Sequence, residues 1–317
     1  MKWLETYEKG LTEVFAACEK TISQFPFPLH ETGLHYLSKF NVFEQESAKN
    51  YICYLLPFWL QDSTRLTPSL YRTLSSANIF GMLYFFIQDD IMDSSAESAP
   101  PVSFRTQLLL ANLFYNEFMR LYRGLFPAES PFWSYFDLYL REWCEGVGFE
   151  QEGREFHINP LHIAKKASPV KLGSTAVLLL AGQEEQIPET SDILDVVLVT
   201  LQMMDDWADW EQDLADGSYN CLLSLIRSER QLPPESALGH TEVQQAVYHQ
   251  QALTLYTDIA IANHQRLQDI PSTLPHLIDF HSTLVQQLHE ESENIESGRQ
   301  LLQHGGLNFI LSTLSKK

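Results

Sequence analysis

The chain is short of basic residues. Of its 317 residues only 21 are lysine or arginine, whereas 41 are aspartate or glutamate, and the formal net charge is -20. Such a surface repels polyanions, so the composition opposes nucleic-acid binding and leaves no basic patch for anionic lipids. An anionic substrate would therefore need metal ions between itself and the protein.

Cysteines and membrane-type segments are also scarce. The four cysteines lie far apart and form no Cys-x-x-Cys pair, so we expect reduced thiols and no disulfide framework. No stretch reaches the ~20 uncharged apolar residues that span a bilayer, and no apolar signal region follows the N-terminus. These absences predict a cytoplasmic protein without a transmembrane segment.

Strand patterns and flexible linkers are rare as well. Apolar residues recur mostly at three- and four-residue spacing, which is typical of amphipathic helices. With 44% hydrophobic and 20% charged residues the chain can build a large core, and no Gly/Ser-rich or Pro-rich linker divides it. The sequence therefore predicts an all-α protein with residues 1–317 in a single domain.

Two helical segments, roughly 71–93 and 191–214, are apolar on most sides, as core helices are. Each ends in aspartates. The first cluster contains Asp89, Asp90 and Asp93, and the second contains Asp205, Asp206, Asp209 and Asp213.

The spacing within each cluster brings carboxylates to one helix face. A four-residue step turns an α-helix by about 400°, so Asp89 and Asp93 stand one turn apart, and Asp205, Asp209 and Asp213 form a three-turn stripe. A solvated acidic face is the usual explanation for such a pair. Here apolar and aromatic neighbours surround both clusters. Carboxylates crowded together in such a setting repel one another and lose hydration, and cations are needed to compensate this cost. Carboxylate oxygens with room for water suit Mg²⁺, often completed by substrate phosphates.

The two motifs resemble the aspartate-rich motifs of the isoprenoid synthase superfamily, specifically trans-prenyl diphosphate synthases and class I terpene synthases. Phe-Phe-Ile-Gln-Asp89-Asp90-Ile-Met-Asp93 is similar to the first motif, and Asp205-Asp206-Trp-Ala-Asp209 to the second. Asp205, Asp209 and Asp213 also match the spacing of the terpene-cyclase metal triad, in which Asn, Ser or Thr, and Glu are more usual. The resemblance covers roughly residues 70–220.

The resemblance implies a helical bundle around a central active-site cavity, a prenyl diphosphate substrate and three Mg²⁺ ions. It also implies basic residues that grip the diphosphate, for which Lys171 and Arg154 are candidates, each set against an ordinary surface charge. Aromatic side chains near the motifs could line the cavity or be ordinary core: Phe85, Phe86, Trp207 and Trp210. Asn220 could join the metal site or merely follow a helix C-cap, and the C-cap is the favoured interpretation. A homodimer is left open.

Departures from the family pattern favour cyclisation over chain elongation. The chain has neither the Gly-Gly-Lys-Arg-x-Arg-Pro motif near its start nor an Arg-Arg-Gly soon after Asp93. Without the cations that hold a second diphosphate, one diphosphate substrate is the simpler conclusion. We therefore expect a class I terpene synthase that ionises a farnesyl- or geranylgeranyl-class diphosphate. The alternatives are a trans-prenyl diphosphate synthase or other prenyltransferase, and a non-enzymatic scaffold that binds divalent cations.

Overall fold

The computed structural model describes residues 2–45, 47–93, 104–148, 156, 159–233, 236–270 and 274–314, with the side chains of Asp93 and residues 302–314 excepted. Regular structure in these ranges is helical, and no strand occurs among them. The predicted all-α class is confirmed.

The chain divides into two compact units. The first comprises Met1–Arg141, Ser168–Ser191 and Thr273–Leu277. Its helices are α1 (Lys2–Glu5), α2 (Glu8–Ile22), α3 (Leu29–Ser38), α4 (Tyr51–Trp59), α5 (Gln61–Thr64), α6 (Pro68–Asp93), α7 (Phe104–Leu125), most of α8 (Phe132–Gly148), α9 (Lys171–Leu180) and the 3₁₀ turn Glu184–Gln186.

Helix α6 is the centre of the first unit and packs against α2, α4, α7 and α9. Its buried positions, including Leu74, Ile79 and Leu83, lie on several sides of the helix, which explains its nearly continuous apolar sequence. It starts a few residues before the predicted segment at Tyr71 and ends at Asp93, as predicted.

A tight contact joins three helices of this unit. The Tyr122 hydroxyl on α7 donates a hydrogen bond of 2.6 Å to Oδ1 of Asn78 on α6. Gly173 on α9 lies so close that a Cβ atom there would overlap Nδ2 of Asn78. The absence of a side chain at Gly173 therefore permits α9 to approach α6.

The second unit comprises Glu142–Ala167, Asp192–Ser272 and Ile278–Lys317. Its helices are the end of α8, most of α10 (Ile187–Asp216), α11 (Cys221–Glu229), α12 (His240–His249), α13 (Ala252–Asp269) and most of α14 (Pro275–Leu314), and it also holds most of the 3₁₀ segment Pro160–Val170. Helices α11, α12 and α13 pack on one another. The predicted segment 191–214 lies within α10.

A histidine pair, of which His281 is buried and His264 half-buried, links α13 and α14. Nδ1 of His264 lies 3.0 Å from Nδ1 of His281, whose Nε2 lies 2.8 Å from the Thr200 hydroxyl on α10. The Gln268 amide nitrogen, 3.0 Å from Nε2 of His264, can only donate. His264 therefore donates through Nδ1 to His281, and His281 donates through Nε2 to Thr200.

None of the helices within the described ranges is both long enough and apolar enough to cross a bilayer. That residues 1–317 form a single domain stays a prediction.

Candidate metal centre

The first aspartate cluster lies at the C-terminal end of α6. The side chains of Asp89 and Asp90 are exposed, and the helix continues through Asp93. Because the backbone is helical over all three positions, Asp89 and Asp93 share one face. The side chain of Asp93 lies outside the described part of the structure.

A hydrogen-bond chain fixes Asp90. The hydroxyl of Tyr36 on α3 donates to Oδ2 of Asp90 over 3.1 Å, and Nε2 of Gln107 on α7 donates to that hydroxyl oxygen over 3.2 Å. Burial raises the pKa of Tyr36; the Gln107 hydrogen bond opposes this, and the negative charge of Asp90 adds to it. Tyr36 thus stays a hydroxyl donor, and it also lies 4.7 Å from the ammonium of Lys39.

The two predicted cavity aromatics of α6 are half-buried. Phe86 contacts Phe40, with ring centroids 4.9 Å apart, and Phe85 lies 5.0 Å from Tyr84 and 6.4 Å from Phe118. Each therefore packs in an aromatic cluster of the first unit. The cavity-lining role predicted for Phe85 and Phe86 stays a prediction.

The second cluster lies on the last turns of α10, where Asp205, Asp209 and Asp213 follow at four-residue intervals. Part of the Asp205 side chain is exposed to solvent. Desolvation by the surrounding protein nevertheless raises its pKa to about 7, and the carboxylates of Asp206 and Asp209 add to this increase. Burial also raises the pKa of Asp213, and Asp206 and Asp209 contribute to the increase. The carboxylates therefore destabilise one another when all are ionised.

Asp206 points into the protein. Only 5% of its surface is exposed, and its carboxylate accepts hydrogen bonds from the backbone N–H of Cys221 (2.5 Å) and from Nε2 of Gln202 (2.7 Å). Burial raises its pKa, and these hydrogen bonds oppose the increase. Asp206 thus ties α10 to the start of α11, and its predicted role as a metal ligand stays a prediction.

Asn220 connects the same two helices. Its Oδ1 accepts from the N–H groups of Leu222 and Leu223, which makes it the N-cap of α11. Its Nδ2 donates to the backbone oxygen of Asp206 (2.7 Å) and to Oδ2 of Asp213 (2.8 Å). Asn220 does not merely follow a helix C-cap, as the sequence suggested: it is the N-cap of the next helix, and its amide also holds Asp213.

The remaining predicted residues are placed as follows. Trp207 is half-buried, whereas Trp210 is buried and stacks on His240 with centroids 5.5 Å apart. Lys171 is buried at the start of α9, with Nζ 4.8 Å from the Tyr139 ring centroid. Arg154 lies outside the described residues. The diphosphate-binding roles of Lys171 and Arg154 stay predictions.

Sequence reasoning missed the polar residues that hold the aspartates. Tyr36 and Gln107 are far from Asp90 along the chain, and Gln202 gives no signal beyond its position one turn before Asp206. It also missed Lys166, whose positive charge lowers the pKa of Asp205, Asp206 and Asp213 against the effect of burial. The signal available in the sequence was the adjacent pair Lys165-Lys166, because basic residues are scarce in this chain.

The donor set fits Mg²⁺. No group of three or more Asp, Glu, His or Cys side chains within the described ranges forms a ready-made metal cage. Mg²⁺ does not need one, since it keeps several waters and binds through one or two carboxylates completed by phosphates. Burial, with a further contribution from the neighbouring carboxylates, raises the pKa of Asp205 and Asp213, and a divalent cation would relieve the cost of ionising them.

Comparison with known proteins identifies the fold. No protein-family model matches the chain, and no curated protein sequence matches it significantly. Among solved structures, it is similar to the crystal structure of geranylgeranyl pyrophosphate synthase from Lactobacillus brevis ATCC 367, with a TM-score of 0.62 and 16% sequence identity over 90% of this chain and 96% of that chain. The chain therefore has the isoprenoid synthase fold. The similar structure within that class is a geranylgeranyl pyrophosphate synthase.

Proposed function

We propose that this chain is a Mg²⁺-dependent enzyme that acts on a prenyl diphosphate and transfers the prenyl group to an acceptor. The observation that carries the proposal is the presence of an aspartate cluster at the end of α6 and another at the end of α10 in a chain with the isoprenoid synthase fold. The similar solved structure is a prenyl diphosphate synthase. It favours the prenyl-transferring alternative over the cyclase that the sequence alone suggested.

The residues that would hold Mg²⁺ are Asp89, Asp90 and Asp93 on α6 and Asp205, Asp209 and Asp213 on α10. When bound, the metal supplies Lewis-acid neutralisation of the diphosphate leaving group. Tyr36 and Gln107 keep the Asp90 carboxylate oriented, and Asn220 does the same for Asp213. The protein's own contribution is thus to hold the carboxylate oxygens of the aspartates in place for the metal. Phe85 and Phe86 would exclude water beside them.

Cyclisation is the second candidate, supported by the scarcity of arginine. A second diphosphate needs its own cations, and the chain has no arginine before Arg65 and none between Asp93 and Arg105. A cyclase needs only one diphosphate. Within either candidate the substrate belongs to the allylic prenyl diphosphates. A cytoplasmic location and a homodimer remain predictions.

One assay separates the candidates. The purified chain is incubated with geranyl, farnesyl or geranylgeranyl diphosphate and Mg²⁺, with and without isopentenyl diphosphate. The organic products are identified by mass spectrometry, and the released diphosphate is quantified. A prenyltransferase consumes one acceptor for each diphosphate released. Release without acceptor consumption indicates a cyclase or a hydrolysis, which the organic product distinguishes, and absence of release from every substrate refutes both.

The aspartates are tested by Asp89→Ala and Asp209→Ala, which should lower kcat/KM by roughly a hundredfold or more because each removes charge stabilisation of the leaving group. Asp192→Asn is the matched control, since Asp192 is exposed earlier on α10 and outside the cluster. Circular dichroism should show the same helicity in all three variants. Near-normal turnover by both alanine variants would refute the proposed role of the clusters.

A further inference from the structure

A cavity of about 360 Å³ lies in the first unit, between α2, the N-terminal half of α6 and α7. Its volume is at the lower end of the range of roughly 300–1,000 Å³ that small-molecule sites occupy. Ser69 and Phe80 mark its limits along α6. At a rise of about 1.5 Å per residue, these two residues stand roughly 30 and 13 Å before Asp89 along the helix axis. The cavity is therefore separate from the first aspartate cluster.

Short side chains leave this space open. Glu13, Ala17 and Thr21 follow at four-residue intervals on α2, so they share one face of that helix, and all three line the cavity. Thr73 and Ser76 line it from α6. Larger apolar side chains at these positions would fill the space and turn it into an ordinary packed contact between helices.

The inner side of the cavity is apolar. Val14 and Phe80 line it and are buried, with 0% and 1% of their surface exposed, and Leu121 on α7 is half-buried. The Phe80 ring is held by packing against Phe114, with ring centroids 6.2 Å apart. An apolar group that enters the cavity would leave water and contact these side chains, which is favourable.

Two arginines line the solvent side of the cavity. Nε of Arg72 lies 3.2 Å from Oε2 of Glu13, and Arg120 contacts Oε2 of Glu117 through Nε at 2.8 Å and Nη2 at 2.6 Å. Within the part of the chain that the structure describes, these pairs engage one of the five N–H groups of Arg72 and two of those of Arg120. The remaining N–H groups can bind a further acceptor.

The threonine hydroxyls offer acceptors and not donors. Oγ1 of Thr21 donates to the backbone oxygen of Ala17, and Oγ1 of Thr73 donates to that of Ser69, each over 3.0 Å. Because both hydroxyl protons are directed at backbone oxygens of their own helices, the two guanidinium groups are the principal donors of the cavity. A ligand that accepts hydrogen bonds and carries negative charge suits them best.

Charge balance favours a singly charged ligand. Glu13 and Glu117 already offset the positive charges of Arg72 and Arg120. A dianion such as phosphate would therefore leave two uncompensated negative charges in a chain whose net charge is -20, whereas a carboxylate leaves one. The planar carboxylate also matches the fork of a guanidinium group.

We propose that this cavity is a binding site for a small organic monocarboxylate with an apolar body. Arg72 and Arg120 bind the carboxylate, and Val14, Phe80 and Leu121 contact the apolar part. The proposal does not depend on the proposed prenyl-diphosphate chemistry, because it uses none of the aspartates. A ligand bound between α2, α6 and α7 should also raise the melting temperature of the protein.

The probe is 3-phenylpropionate, and its binding is measured by saturation-transfer difference NMR in the absence of Mg²⁺ and of any prenyl diphosphate. We expect a Kd in the millimolar range, as is usual for so small a ligand. The uncharged analogue 3-phenylpropan-1-ol and the ringless analogue acetate should each bind roughly tenfold more weakly or worse, because each lacks one half of the interaction. Inorganic phosphate at the same concentration should not displace the probe.

Charge variants test the two arginines. Arg120→Met should weaken binding of the probe roughly tenfold, because it removes a charged hydrogen-bond donor. Glu13→Gln should strengthen binding roughly threefold, because it releases Arg72 from its surface ion pair and removes a negative charge. Arg123→Met is the control, since Arg123 lies exposed on the same helix as Arg120 but outside the cavity, and it should bind like the wild type. Opposite changes in two variants are not the result of a general loss of structure.

A blocking variant tests the cavity itself and replaces Arg120→Met if that variant fails to fold. Ala17→Leu keeps both arginines and fills the space, so binding of the probe should be lost. Ala17 is exposed on α2, where leucine is a good helix former, and the fold should therefore be retained. Ala16→Leu is the matched control, because Ala16 is an exposed neighbour on α2 that does not line the cavity.

The outcomes are decisive for the site and leave the enzyme assignment to its own assay. Equal binding of the alcohol and the acid, or displacement by phosphate, overturns the proposed ligand class. Unchanged binding in Ala17→Leu shows that the probe binds elsewhere and overturns the site, as does the absence of binding to the wild type. Because neither metal nor diphosphate is present, each of these results is independent of whether the protein turns over a prenyl diphosphate.

Discussion

The hydrogen-bond chain through His264 and His281 is compatible only with neutral imidazoles. His281 is fully buried, and burial, together with the neighbouring His264, lowers its pKa to about 3 from an ordinary value near 6.5. A proton added to Nδ1 of His281 would face the N–H of His264. The folded state therefore disfavours a proton that the unfolded chain accepts readily.

Folding stability should consequently depend on pH through His281. Its contribution is fully present above pH 6.5 and is lost as the pH falls from 6.5 toward 3, with a slope of up to about 1.4 kcal/mol per pH unit. His281→Gln should reduce this slope in urea unfolding measured between pH 7 and pH 4.5. His289→Gln, which alters a half-exposed histidine of α14, should keep it. Identical slopes for the wild type and His281→Gln would contradict the argument.

The clustered aspartates were easier to predict than the residues that hydrogen-bond to them. The spacing of Asp89, Asp205 and their neighbours is sufficient to identify them, because helical geometry alone brings residues four apart to one face. The inward orientation of Asp206 could not be predicted, since it depends on the backbone N–H of Cys221 at the start of the next helix. Asn220 was expected to follow a helix C-cap, but its N-cap role and its hydrogen bond to Asp213 depend on the turn between α10 and α11.

At the scale of elements, the contact between α6 and α9 depends on Gly173. Gly173→Ala should destabilise the protein by about 1–3 kcal/mol, because Asn78 can yield only by weakening its hydrogen bond with Tyr122. Gly124→Ala in α7 is the matched control. No atom lies within 4 Å of its new Cβ, and a helical alanine in place of glycine should add up to about 1 kcal/mol. Thermal or urea unfolding of both variants checks the difference, and equal stability would show that α9 adjusts freely.

Helices themselves were predictable where their apolar pattern was long. Helices α6 and α10 begin three and four residues, respectively, before the N-terminal limits predicted from sequence, because helix boundaries are the least predictable part of an element. Gly146 is a different case, because it lies inside α8, which continues to Gly148, and its missing side chain permits the close approach of the 3₁₀ segment. A sequence pattern cannot distinguish a glycine that interrupts a helix from one that admits a neighbour.

At the scale of the whole molecule, the net charge of -20 opposes compaction. We expect the melting temperature at pH 7.5 to rise when KCl is increased from about 20 mM to about 300 mM, because the shorter Debye length screens the surface carboxylates from one another. Near the isoelectric point of about 4.8 the same salt series should have a smaller effect. Differential scanning calorimetry at both pH values measures it, and a salt response of equal size at both would exclude self-repulsion as its cause.

The histidine pair has one further consequence. The Nδ1–H of His264 faces Nδ1 of the fully buried His281 over 3.0 Å, between rings inclined at 15°, so its proton resonance should lie far downfield and exchange slowly with solvent. Because it exists only while α13 and α14 are packed together, that single signal is a natural spectroscopic reporter. It would reveal, without any introduced label, whether adding metal or diphosphate loosens or tightens this pair of helices.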